Sequence, residues 1–187
     1  MHPWPDSPLI TEADALALAA LPPAVYAHSR RSFILATEYA ARRDTRFDAE
    51  GLALAALHHD LGFAPRFADG SRAFTEIGAQ LLADTLAKAG QADWGQALAE
   101  AIELHMQLFP RWSKGPEVGL LQVGAWMDAT GRSGRTVGKD FIRALEGELP
   151  RSSFDRDFPG MLLGSIRSWR ACARLLRPAP RPLSAPG

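Results

Sequence analysis

Cys172 is the chain's only cysteine, which excludes an intrachain disulfide framework and any cysteine-rich zinc module. An excess of one charge is equally absent, with 21 Lys and Arg against 21 Asp and Glu. That balance argues against a protein built to hold nucleic acid, so no nucleic-acid partner is expected. No apolar run approaches the roughly 20 residues that a membrane span needs, and no membrane partner is expected either. Residues 15–27 are apolar, but Asp6, Glu12 and Asp14 stand where a secretory leader is positive, and Pro22-Pro23 interrupts the run. The expected location is the reducing cytoplasm. What the chain does have is apolar side chain, 47% of 187 residues, ample for one real core.

Strand alternation is also missing, and the punctuation is that of helices. Residues 1–10, with Pro3, Pro5 and Pro8, read as an extended arm. Thr11 with Asp14 reads as the capping pair of a first helix that Pro22-Pro23 ends. A longer helix is predicted over 24–43. Asp48 caps the next, which carries Leu52, Leu54 and Leu57 and stops near Gly62. Pro65 and Asp69-Gly70 make 63–73 a loop, and helices follow over 74–89, 93–108, 116–129 and 139–149. A last helix is predicted over 160–177, with Leu162, Ile166, Trp169, Ala173 and Leu176 as its apolar stripe. Arg167, Arg170, Arg174 and Arg177 beside that stripe read as a solvated face. Residues 178–187 hold four prolines and read as a flexible tail. The predicted fold class is all-α, a single helical domain over 11–177 between arm and tail.

The five histidines are His2, His28, His58, His59 and His105, and all but His2 lie in or beside predicted helices. His59-Asp60 follows the apolar run Leu54-Ala55-Ala56-Leu57, and imidazole with carboxylate suits a borderline divalent metal. His28 lies on the preceding helix. Asp128 lies on a later, otherwise apolar helix face, where a carboxylate must be paired, metal-bound or placed at an edge. Three helices can thus present His28, His59, Asp60 and Asp128 to one ion and leave positions for water.

The order His28, His59-Asp60, Asp128 resembles the HD-domain superfamily of metal-dependent hydrolases. The resemblance runs from about Tyr26 to Gly131 and implies an all-helical fold with those four residues as metal ligands. Within the superfamily, His28-Ser29-x-Arg31, His59-Asp60-Leu61-Gly62, Ala101–His105 and Leu121–Asp128 look like the cyanamide hydratase-like branch. In that branch the additional helical histidine, here His105, is expected in the active site. One piece departs: the family tends to place an acid directly before a Gly-Ala pair, whereas Ile77 precedes Gly78-Ala79 and the nearest acid is Glu76. HD phosphodiesterases of cyclic dinucleotides resemble His-Asp-x-Gly-Lys, and here Phe63 stands in place of the lysine that neutralises phosphate.

The resemblance therefore implies a metalloenzyme that activates water, with His105 as proton shuttle and Asp60 as both ligand and catalytic residue. Arg31, Phe63 and Glu76 are the candidate substrate contacts. For Arg31 the plainer reading is a pair with an acid, and for Glu76 a place in the first turn of a helix. His58 reads as a neighbour that orients a carboxylate rather than a ligand. The expected cofactor is one divalent metal ion, zinc first, with iron and manganese also compatible. The expected partner is a small-molecule substrate, a cyanamide-like nitrile first and a phosphate ester such as a nucleotide second. A metal-binding regulatory domain without turnover is the reading from a different class. Whether the chain forms a homo-oligomer is not legible in the sequence.

Overall fold

The computed structural model describes residues 4–151 and 153–165. These residues are all-α, with no strand among them, and none of their helices is long and apolar enough to cross a membrane. The helices are α1 (Pro8–Ala20), α2 (Pro23–Arg42), α3 (Ala49–His58), α4 (Phe74–Lys88), α5 (Ala92–Leu104), α6 (Pro116–Thr130), α7 (Gly134–Val137), α8 (Lys139–Glu148) and α9 (Phe154–Ser165).

Helix α3 is the axis of the fold. Asp48 caps it by accepting from the Glu50 backbone N–H at 3.1 Å, and every residue from Gly51 to His58 is buried. A helix apolar on all sides has no stable place but a core. Helices α1, α2, α4, α5 and α6 all pack against it. Helices α4 and α5 form a hairpin over Ala89–Gln91, where Gly90 takes the left-handed conformation (φ 76°).

Helices α2 and α6 form the second close pair, and small residues set their approach. A Cβ on Gly124 would stand 2.1 Å from the Ser32 carbonyl oxygen and 3.0 Å from the Ala36 methyl, so only glycine permits this contact. Partners one turn away run in opposite directions along the two helices, His28 meeting Asp128. The helices are therefore antiparallel, and one turn from the crossing lies the polar centre of the molecule.

Three expectations need correction. The first helix starts at Pro8, not Thr11. Ser7 is its cap, accepting from the Ile10 N–H at 3.2 Å, and Pro8 fits the first turn because it has no N–H to satisfy. Asp14 instead accepts from the Tyr26 hydroxyl at 2.8 Å and from Arg30 at 3.2 Å. Helix α5 ends at Leu104 rather than 108, because the chain turns at His105. Helix α9 begins at Phe154, ahead of the expected residue 160, and holds Pro159 within it. Residues 166–177, the tail 178–187, Cys172 and His2 lie outside the described residues.

Candidate metal centre

His28, His59 and Asp60 are fully buried, and each offers a ligand atom within 4.8 Å of the others'. Their positions follow from chain geometry. His59 is the C-cap of α3, and its Nδ1–H donates to the Ala56 carbonyl at 2.7 Å. Asp60 leaves the helix (φ −107°, ψ 3°) into a 3-10 turn over Leu61–Phe63, so the two neighbouring side chains converge instead of diverging by about 100°. Gly62 is what lets this turn sit down. A Cβ there would lie 2.1 Å from the Phe74 carbonyl oxygen, so the glycine serves close packing against the start of α4.

The histidine tautomers are fixed by acceptor-only partners. His28 Nδ1–H donates to Asp128 Oδ2 at 2.6 Å, leaving Nε2 free to face Asp60 Oδ2 at 3.7 Å. His59 Nε2 lies 3.3 Å from the same oxygen. His105 Nδ1–H donates to the Ile102 carbonyl at 2.6 Å, and its ring stands edge-on to His59 with centroids 4.9 Å apart. The Trp126 indole N–H donates to the His105 carbonyl at 3.0 Å, tying the turn after α5 to α6. Each of the three imidazoles thus offers an Nε2 lone pair.

The electrostatics match a cation. His59 Nε2 and Asp60 Oδ2 are buried without a hydrogen-bond partner, and an unmet buried polar atom costs about 1–3 kcal/mol. Burial pushes both His59 and His105 down to about 3. Burial raises Asp60. Two neutral imidazoles and a desolvated carboxylate are the donor set that a divalent ion satisfies.

The structure does not bring every expected residue to this point. Asp128, expected as the fourth ligand, stands behind His28 and outside the ligand group, with its carboxylate paired to Arg31. Arg31, expected as a substrate contact, is completely buried, and its guanidinium also donates to the Leu149 and Pro150 carbonyls. Glu76 accepts from the Ala73 N–H at 3.1 Å and caps α4. Phe63 stacks on Phe74 at 4.0 Å between centroids and forms no part of the cavity lining. His58 donates through Nδ1 to the Leu54 carbonyl, and its Nε2 is buried without a partner.

His28, Asp60 and His105 form one end of a cavity of about 150 Å³. Met106, Trp126, Phe158 and Leu162 supply apolar wall, and no lysine or arginine is among the lining residues. Sequence reasoning missed the part of α9. Phe154 stacks on His28 at 4.5 Å and 19°, and Phe158 follows one turn on, a Phe spacing of four that was legible but lay before the expected helix start. The model of the HD domain family matches residues 25–132, a span that carries all four expected ligands and His105. No curated protein matches the chain.

Proposed function

The chain belongs to the HD domain family, and on that premise we propose that it is a metal-dependent enzyme that adds water to a small neutral molecule, a cyanamide-like nitrile being the substrate class. The observation that carries this reading is the pair of buried atoms without partners, His59 Nε2 and Asp60 Oδ2, beside His28, with Asp60 and His28 lining an apolar cavity. His28, His59 and Asp60 would hold the ion, and zinc, iron or manganese all accept two imidazoles and a carboxylate. An ion there supplies a water of lowered pKa and polarises the electrophile.

The protein's own residues do the rest. His105 keeps a lone pair on Nε2, so it can take a proton from the water adding to the nitrile carbon and return it to the nitrile nitrogen. Nothing leaves, and cyanamide plus water balances to urea. The cavity volume suits a molecule of about benzene's size or smaller. Its walls are apolar, and among the described residues they hold no cationic clamp, whereas phosphoryl transfer relies on cations at the transferring group.

The test is a substrate panel on metal-loaded protein, with metal content measured on the same sample. Urea from cyanamide without phosphate from nucleoside monophosphates is the expected result. Phosphate release with no urea would transfer the site to the phosphohydrolases, and an intact metal site with turnover of neither would make it a binding domain.

A further inference from the structure

Helix α9 carries an apolar side chain at every fourth residue, Phe154, Phe158 and Leu162, and residues four apart share one face of a helix. That face lies along the cavity in a definite direction. Phe154 is buried and stacks on the His28 ring at 4.5 Å. Phe158 stacks on Phe154 at 4.7 Å and stands edge-on to Phe63 at 5.9 Å, so its ring is held from two sides. Phe158 and Leu162 both line the cavity. Each step along this face is about 6 Å, from a rise of about 1.5 Å per residue. Helix α9 therefore runs outward from the His28 end, and Leu162 stands two steps beyond the ring that covers His28. Met161, next to it in the chain, packs against the main core and anchors the helix at that level.

The other helix of the wall, α6, contributes Ala125 and Ala129, one turn apart, with Trp126 beside them. Alanine has little side chain to give, so the larger α9 residues decide the room. An apolar void of about 150 Å³ holds benzene, and one water takes about 30 Å³. This cavity, at about 150 Å³, suits cyanamide or propionitrile together with the reacting water and falls short for pentanenitrile. From this direction and this volume we infer that Leu162 is a specificity-determining residue, the side chain at which the substrate's chain must end, so that the site takes short nitriles and rejects longer ones. The inference rests on the hydration reading above and names the nitriles it covers. The reacting carbon lies toward His28, Asp60 and His105, and an alkyl chain extends past Phe158 to Leu162. One methylene more or less in an apolar pocket discriminates by about 10–200-fold.

The experiment measures pentanenitrile against propionitrile in wild type, Leu162→Ala, Leu162→Phe and the control Leu163→Ala. Leu162 is half-buried, so truncating it leaves no enclosed void in the core, and Leu162→Phe adds contact where Leu162→Ala removes it. Leu163 is 69% exposed and off the cavity. Two ratios are read. The first is of dissociation constants in metal-free protein, followed by NMR on the Trp126 indole N–H in the cavity wall. The second is of kcat/KM in metal-loaded protein. Leu162→Ala should move both ratios toward pentanenitrile by about 10-fold or more, Leu162→Phe should move them the other way, and Leu163→Ala should match wild type. Wild-type ratios in both Leu162 variants overturn the inference, and so does an equal shift in Leu163→Ala, which would mark a general loosening of α9. Wild type that hydrates no nitrile defeats the hydration reading instead, and the binding ratios then decide the part of Leu162 by themselves.

Discussion

His105 is buried among apolar residues, as a core histidine is, yet its ring lines the cavity beside Asp60. The two roles separate on substitution. His105→Gln keeps a polar side chain of similar reach, so metal content and the fold should survive while kcat falls by on the order of 10²–10⁴. Unfolding with unchanged turnover per folded molecule would make it a packing residue. His59→Ala and Asp60→Ala should do the opposite and strip the ion. They should also remove the rise in Tm that added metal gives wild type, because a ligand of the folded state alone stabilises it by mass action. Differential scanning calorimetry with and without metal reads that difference, and a metal-dependent Tm in either variant would contradict the ligand assignment.

Helices α2 and α6 meet through Gly124, and the site depends on that contact although Gly124 touches no ligand. A methyl group there would press 2.1 Å from the Ser32 carbonyl oxygen, a backbone atom that cannot rotate away. Gly124→Ala should cost roughly 1–3 kcal/mol or more in urea unfolding and weaken metal binding, since separating the helices pulls Asp128 from His28. Gly147→Ala on α8, with nothing within 4 Å, is the control and should gain a few tenths to about 1 kcal/mol from helix propensity. Equal stability of the two variants would refute the crossing argument. Most of these elements are legible in the sequence, because proline, glycine and Asp48 mark helix ends chemically. So are the buried polar residues themselves, since His28, His59-Asp60 and Asp128 interrupt apolar faces. What Asp128 does is not legible. An aspartate one turn from a helix crossing can face an ion or a guanidinium, and which one depends on the side of His28 from which α6 approaches. Helix α7 is a single turn, too short to show a period, and Pro159 disguises the true start of α9.

Stability of the whole molecule should depend on pH through histidines that the fold keeps neutral. Burial lowers His58 to about 4, and His59 and His105 to about 3, against about 6.5 in an unfolded chain. Below the unfolded value the unfolded chain binds protons that the folded chain refuses. The stability is therefore fully present above about pH 6.5 and is lost as pH falls toward 4, at about 1.4 kcal/mol per pH unit for each histidine. Asp128 adds to the loss below about pH 4: burial favours its protonated form, but the bonds from His28 and Arg31 outweigh that and hold it below the usual range. Asp60, raised by burial, acts the other way, and one carboxylate does not offset three imidazoles. Metal-free protein should then lose less than about 4 kcal/mol per pH unit between 6 and 4, the three histidines' sum reduced by Asp60, against a total of about 5–15 kcal/mol for a typical domain. His58→Leu tests the account. Its Nε2 is buried without a partner, so leucine removes one proton-binding group and an unmet polar atom together. Urea midpoints measured across that pH range should show a slope lowered by about a third or more and equal or greater stability at pH 5. An unchanged slope would show that the acid sensitivity of this fold has another source.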